Sequence, residues 1–327
     1  MAALVEVQNL KKYYPVKKGL IASLREQPEF VKAVDGLNFT LDKGESVGLV
    51  GESGCGKTTT GKLLLRLTSA SEGTVRFAQQ DVTKLESAGL KRFRREAQLV
   101  FQNPFDALNP RFSIYKSLAE PLINSGIPKD QFHDLMAQAL VRVHLADVTS
   151  LLSKYPHQLS GGQLQRVVLA RALILGPSFV VADEPVSMLD VSVRAGILNV
   201  MREARDVLGL TALYISHDLA LVRYVCERTI VMYLGKVMED GPTEVVIRKP
   251  SHPYTRALVQ AVPTPHPEQS HEALPIYEGS PDARRPPSGC RFRSRCPHAF
   301  ERCATEEPRA TKLPEGNTVF CHLYDEQ

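Results

Sequence analysis

Residues 51–58 read GESGCGKT, and the fold follows from what stands on either side of them. Before them, ESVGLV (45–50) is a short apolar run of strand character. After them, TTTGKLLLRLT has helical character. Strand, glycine-rich turn and helix form the setting in which G-x-x-x-x-G-K-[ST] holds the phosphates of a nucleotide. Glycines let the backbone wrap closely, so that successive N–H groups point at phosphate oxygens. Lys57 reaches the β- and γ-phosphates, the Thr58 hydroxyl ligates Mg²⁺, and the following helix adds its positive N-terminal end. The expected nucleotide contacts are therefore Gly51, Glu52, Ser53, Gly54, Cys55, Gly56, Lys57, Thr58 and Thr59. An incidental glycine-rich turn would not require the flanking strand and helix.

Working outward, LVEVQNL (4–10) alternates in the manner of an edge strand. Residues 15–31 are polar and mixed, with Gly and Pro, and read as a loop insertion. Residues 86–98 and 113–150 read as mostly helical. FVVA (179–182) and ALYIS (212–216) are buried strands with a helix at 193–208 between them. Alternating strands and helices imply an α/β fold with a largely parallel sheet and crossover connections. From about 262 the texture changes to proline and arginine (VPTPHP, SPDARRPPSG, RCP), which reads as a small irregular C-terminal extension. No internal repeat is apparent.

A second anion grip follows. LSGGQ (159–163) opens the helix QLQRVVLARAL, so Ser160, Gly161, Gly162 and Gln163 form another helix N-terminus suited to phosphate. One chain does not need two grips for one nucleotide, and the arrangement makes sense if this one serves ATP held by a second subunit. FVVADEP (179–185) then places Asp183 at the end of an apolar strand, where it can hold Mg²⁺ through water. Glu184 next to it can orient or deprotonate the water that attacks a γ-phosphate. The alternative is a solvated acidic pair after a strand.

Bulk composition sets limits on all this. The chain has 327 residues, long enough for one large core and a smaller appendage. Hydrophobic residues make up 43% and charged residues 23%, an ordinary globular mix. The net charge of +4 is mild and gives no sign of nucleic-acid binding. No stretch approaches the roughly 18 to 20 apolar residues that span a bilayer. Glutamate interrupts the first apolar run, so a signal peptide is not expected, and the reading is of a cytoplasmic protein held at a membrane, if at all, by other subunits. Of six cysteines, Cys55 and Cys226 stand alone. The others, Cys290, Cys296, Cys303 and Cys321, are spaced C-x5-C-x6-C-x17-C. In a reducing cytosol such a quartet asks for a metal: an iron–sulfur cluster or a structural zinc, with free thiols as the alternative. The spacing is not the CxxC pairing of zinc ribbons. Arg291, Arg293 and Arg295 interleave the first two cysteines and could offset the charge of four thiolates.

The order of GESGCGKT, Gln102 in VFQNP, LSGGQ, VVADEP, Asp190 in SMLDVS and His217 in YISHD resembles the ABC transporter ATPases. The resemblance implies a RecA-like parallel sheet core, an antiparallel N-terminal β subdomain and a helical signature subdomain at about 103–165. It implies a nucleotide-binding domain over 1–261 and an extension over 262–327. Gln102 resembles the glutamine that senses Mg²⁺ and nucleotide and links to the membrane subunits. Mg²⁺ is thus expected near Thr58, Gln102 and Asp183. Asp190 resembles the aspartate that acts across the dimer, and His217 the switch histidine at the γ-phosphate. Glu184 and His217 are the expected catalytic pair. Tyr14 stands where an adenine-stacking aromatic is expected, with Tyr13 as the fallback. Thr58 for serine and Met188 for alanine are small departures.

NLKKYYPVKKG (9–19), FQNPFDALNPR (101–111), KYPHQLSGGQ (154–163), MYLGKVMEDG (232–241), HPYTRALVQAVP (252–263) and PPSGCRFRSRCPHAFERC (286–303) look like the dipeptide/oligopeptide importer branch. That likeness covers essentially the whole chain. It implies a heterodimer with a related ATPase, two transmembrane permease subunits, an external peptide-binding protein, and a peripheral location on the cytoplasmic face of the inner membrane. It also implies a [4Fe–4S] cluster on the four cysteines. Competing readings are import of nickel chelates, glutathione or antimicrobial peptides, a soluble ABC ATPase outside transport, and a non-hydrolysing regulatory subunit. The short span between Gln102 and LSGGQ leaves no room for a long coiled-coil insertion, and Glu184 and His217 are intact.

Overall fold

The computed structural model describes residues 3–16, 29–262, 276–277, 279 and 282–325. Most of the loop insertion expected at 15–31 and much of the proline-rich stretch after 262 lie outside the described residues. The chain divides into two compact units, one built mainly from residues 84–214, the other from 5–40, 46–83 and 215–327.

In the second of these units, β1 (Ala3–Pro15), β2 (Phe30–Asp42), β4 (Glu72–Phe77) and β5 (Gln80–Asp81) form an antiparallel sheet in the order β2-β1-β4-β5. Val5 pairs with Phe77 and Val7 with Val75, and all four are buried. The alternation in LVEVQNL is therefore real, but β1 is not an edge: it runs between β2 and β4. Period-two patterning reports which face is buried and not how many neighbours a strand has.

The same unit holds β3 (Ser46–Val50), β9 (Arg228–Tyr233) and β10 (Lys236–Pro242). β3 is buried along its whole length and lies parallel to β9, as continuous apolar runs do in covered parallel sheets. β10 returns antiparallel to β9. The C-terminal extension adds two short strands here. β12 (Thr318–Phe320) pairs with β10, and β11 (Ala310–Lys312) pairs with β12.

In the other unit, β6 (Ala97–Val100) and β7 (Phe179–Asp183) are parallel, with Leu99 opposite Val181. β8 (Thr211–Ser216) is the neighbour of β7. The helices α4 (Ile114–Asn124), α5 (Phe132–Arg142) and α6 (Val148–Ser153) pack among themselves, and α4 and α5 pack on α7 (Gly161–Leu173). Leu118, Leu122, Met136, Leu140, Leu164 and Val168 supply the buried stripe. Arg171 of α7 fastens this bundle, donating to the Ser117 carbonyl at 3.2 Å, the Ala107 carbonyl at 3.1 Å and Glu120 at 2.7 Å.

One buried carboxylate joins the extension to the sheet. Glu239 on β10 is fully buried and accepts the N–H groups of Ser251 and His252 at 3.0 Å each and the Asn317 amide at 2.7 Å. His252 caps the helix Pro253–Gln260 by accepting the Tyr254 N–H at its Nδ1, 3.0 Å away. Burial, with Arg256 adding to it, pushes the His252 imidazole down to about 3. A base whose folded pKa is depressed destabilises the fold only where the unfolded chain takes up the proton and the folded chain does not. That window runs from about 6.5 down to about 3, with a slope of up to about 1.4 kcal/mol per pH unit. Urea unfolding is expected to show about 2 kcal/mol of stability lost between pH 7.5 and pH 5 through this group. A His252→Asn chain, which keeps an acceptor for the Tyr254 N–H, should lose correspondingly less over the same interval. Equal losses in the two chains would contradict the assignment.

Candidate functional site

The phosphate loop is shaped by two close approaches of backbone to backbone. A Cβ on Gly51 would stand 2.1 Å from the Met232 carbonyl oxygen, and one on Gly56 would stand 2.0 Å from that of Ala33. Both have positive φ, +148° and +109°, so only glycine fits in space and in conformation. Gly56 precedes α1 (Lys57–Leu64), whose N-cap makes no side-chain hydrogen bond, and a helix N-terminus favours an anion. Lys57 is 7% exposed and donates to the carbonyls of Gly51 at 2.7 Å and Glu52 at 3.0 Å. Its ammonium is thus already placed inside the loop. Ser53, Gly54 and Thr58 face solvent, while Cys55 packs under the loop, where burial raises its thiol pKa.

In the unit of residues 84–214, the Gln102 amide donates to the Glu184 carboxylate at 2.7 Å. Glu184 has φ +45°, a left-handed conformation that is strained for a residue with a Cβ. Ser187 helps hold it there, its hydroxyl donating to the Glu184 carbonyl at 3.1 Å. Asp183 ends β7, half-buried, and Asp190 stands at the N-terminus of α8 (Val191–Leu208), exposed. At the head of α7, Ser160 Oγ accepts the Gln163 N–H at 3.3 Å and Gln163 Oε1 accepts the Ser160 N–H at 3.1 Å, a reciprocal cap. Gly162 lies where a Cβ would come within 2.7 Å of Val193. Gln165, one turn on and 1% exposed, donates to the Pro185 carbonyl at 2.7 Å. The signature helix therefore grips the turn that carries Glu184. The only sequence signal for this contact is an amide among apolar neighbours on a buried helix.

Of the remaining candidates, His217 follows β8 directly and is exposed. Tyr14 is 38% exposed, with the Lys12 ammonium 5.0 Å from its ring centre. Tyr13 donates its hydroxyl to Asp35, and burial together with that bond raises its pKa. The Tyr13 hydroxyl is thereby anchored, whereas Tyr14 presents an accessible ring.

The four C-terminal cysteines are all buried, at 7–8% exposure. The Cys290 N–H donates to the Cys303 carbonyl at 2.9 Å. Burial pushes the Cys290 thiol up to about 11 and Cys321 up to about 12, and raises Cys296, with neighbouring thiols of the quartet adding to each. Backbone N–H groups act in the other direction, from Phe292 and Arg293 on Cys290, His298 on Cys296 and Leu323 on Cys321. Four gathered sulfurs, three of them supplied with amide donors, suit thiolate ligation. Among the described residues no group of three or more His, Cys, Asp or Glu forms a metal-ion site.

The arginines among these cysteines do not serve the sulfurs. Arg291 donates to Asp35, Arg293 to the Ala304 carbonyl at 2.8 Å, and Arg295 to both oxygens of Glu52 at 2.9 Å. A guanidinium fork matches carboxylate and carbonyl oxygens, and the backbone amides take its place at sulfur.

The chain is similar to known proteins along nearly its whole length. Residues 34–187 match the family model described as ABC transporter, and residues 238–303 match that of the oligopeptide/dipeptide transporter C-terminal region. A putative peptide import ATP-binding protein of Brucella ovis is 43% identical over 319 residues, 97% of each chain. The dipeptide transport ATP-binding protein DppF of Escherichia coli is 41% identical over 324 residues, covering 99% of this chain and 95% of that one. Among solved structures, a dimeric ATP-binding cassette in a post-hydrolysis state with ADP and Pi superposes with a TM-score of 0.63 at 28% identity, over 73% of this chain and 98% of that one. CbiO1 from Clostridium perfringens gives 0.65 at 26% identity, over 76% of this chain and 91% of that one.

Proposed function

This chain belongs to the ATP-binding proteins of ABC transporters, in the branch that carries the oligopeptide/dipeptide-transporter C-terminal region, and from that premise we propose that it hydrolyses ATP to drive import of dipeptides and oligopeptides. The observation that carries the reading is the joint presence of the Lys57 loop, built around Gly51 and Gly56, and the Gln102–Glu184 pair, in a chain whose relatives of near-equal length are named for peptide import.

ATP binds with its phosphates along residues 51–59. Lys57 exchanges its bonds to the Gly51 and Glu52 carbonyls for phosphate oxygens. Tyr14 stacks on the adenine. Thr58, Gln102 and Asp183 are the oxygen donors that would hold Mg²⁺, which would supply charge neutralisation at the phosphates. Glu184 accepts the proton of the attacking water, and His217 bonds the γ-phosphate. Before nucleotide arrives, the Gln102 amide holds the Glu184 carboxylate. Recruitment of Gln102 to the nucleotide frees that carboxylate for water. Ser160, Gly161, Gly162 and Gln163 close over ATP on a second, homologous ATPase subunit, and Asp190 acts across the same junction. Both sites are complete only in such a head-to-tail pair, here a heterodimer.

Two transmembrane permease subunits receive the motion at Gln102 and residues 103–125, where Phe105, Tyr115 and Ile123 are exposed. An external binding protein delivers the peptide. No described helix is long and apolar enough to cross a membrane, which fits peripheral attachment at the cytoplasmic face of the inner membrane. Residues 1–261 act as the nucleotide-binding domain and 262–327 as its extension.

The four cysteines Cys290, Cys296, Cys303 and Cys321 are the residues that would hold a [4Fe–4S] cluster, which would cross-link the extension and supply no redox step to ATP hydrolysis. Anaerobically purified chain is expected to contain iron and sulfide in roughly equal amounts. Stoichiometric zinc in their place, or metal-free thiols, would refute the cluster.

The transport reading is tested in cells carrying wild-type chain or Glu184→Gln. Uptake of labelled dipeptides and longer peptides should fall at least tenfold in the variant, since the carboxylate that takes the proton is gone. Loss confined to nickel chelates or another solute would overturn the substrate, and unchanged uptake with expressed variant would overturn the transport role.

A further inference from the structure

The segment CRFRSRC (290–296) is seated against the nucleotide loop. Phe292, fully buried, lies in an aromatic cluster with Tyr233 and Tyr254, each at 5.4 Å between ring centres, and with His252 at 5.9 Å. Tyr254 does not stop at packing. Its hydroxyl accepts the backbone N–H of Glu52 at 2.8 Å. From the same segment Arg295, with its side chain 12% exposed, places one guanidinium nitrogen 2.9 Å from both carboxylate oxygens of Glu52. It also donates to the Tyr233 hydroxyl at 3.3 Å, and its guanidinium lies 5.7 Å from the Tyr233 ring centre. Glu52 is thereby held at its amide and at its carboxylate, both times by residues from beyond position 250. A second arm leaves the same segment. Arg291 donates to the buried Asp35, which also accepts the Tyr13 hydroxyl. The Tyr13 hydrogen bond and the charges of Lys236, Arg291 and Lys32 outweigh burial and keep Asp35 below the usual carboxylate range.

We propose that Arg295 and Tyr254 are positioning residues for nucleotide binding, through which the cysteine-bearing extension fixes the conformation of the phosphate loop at Glu52. The inference rests on the reading that residues 51–59 bind ATP. Its physical basis is the preorganisation of the loop. The Glu52 carbonyl is one of the two bonded by Lys57, so a loop pinned at Glu52 keeps both the ammonium and the N–H groups aimed before ATP arrives. A loop released there must be ordered by ATP itself, at a cost in affinity. Once ATP is bound and the loop is closed on it, Arg295 makes no contact with the reacting atoms. It therefore affects KM far more than kcat.

The test uses the full-length chain, with ATP hydrolysis and binding of a fluorescent ATP analogue measured together. Arg295→Met, which keeps an unbranched stem, is expected to raise the KM and the Kd for ATP about five- to tenfold with kcat within twofold of wild type. Arg295→Lys should recover much of the loss. Glu52→Gln should raise the Kd at least as far as Arg295→Met does, and adding Arg295→Met to Glu52→Gln should raise it no further, because the contact is already gone. Arg295→Met that fails to fold leaves Glu52→Gln and Tyr254→Phe to decide: Tyr254→Phe deletes only the acceptor for the Glu52 N–H and should also raise the Kd. Unchanged KM and Kd in folded variants would overturn the inference, as would additive shifts in the double variant or a fall in kcat without a change in KM. A wild-type chain with no measurable affinity for ATP would overturn the reading beneath it.

Discussion

A lysine ammonium buried inside its own loop is the constraint on which the rest depends. Lys57 is a cation with little access to water, and it is tolerable only because the carbonyls of Gly51 and Glu52 accept from it. Those carbonyls face inward only if the loop wraps tightly. Tight wrapping demands the positive φ of Gly51 and Gly56 and their contact with the backbones of Met232 and Ala33. The strand before the loop, the helix after it and the strand that bears Met232 therefore act as one construction around a single charge. The loop carries its positive charge in place, and an incoming triphosphate meets donors that are already oriented.

A second constraint of the same kind sits at Glu184. The residue has a backbone conformation that L-amino acids avoid, and it persists because neighbours fix the turn: Gln165 bonds the Pro185 carbonyl and Ser187 bonds that of Glu184. The strain directs the carboxylate, and the Gln102 amide engages it. One helix thus carries the reciprocal Ser160–Gln163 cap at its N-terminus and, one turn later, the amide that steadies the turn bearing Glu184.

Much of this was legible in the sequence, for a physical reason. Strands such as SVGLV (46–50) and the FVVA of β7, buried throughout, read as apolar runs, and a phosphate loop needs glycines at fixed offsets. Signals of that kind are local. What the sequence did not disclose is long-range. Nothing in LVEVQNL distinguishes a strand with one neighbour from one with two, and β1 has two. β11 and β12 are three residues each, too short for a period to show against proline and arginine. The arginines of CRFRSRC invited an electrostatic reading toward the sulfurs beside them in sequence. Their partners Asp35 and Glu52 lie 256 and 243 positions away along the chain. Charge alone does not say which carboxylate a guanidinium will find.

Relatives named for peptide import, a nucleotide loop with its lysine in place and a carboxylate held in reserve together make the central claim that ATP hydrolysis by this chain is coupled to peptide entry. The direct measurement is ATP hydrolysis by the complete transporter in proteoliposomes, with the external binding protein present and peptides added on its side. Coupling predicts that di- and oligopeptides raise hydrolysis several-fold above the peptide-free rate. Hydrolysis that ignores peptides, or that rises only with a different solute, would contradict it.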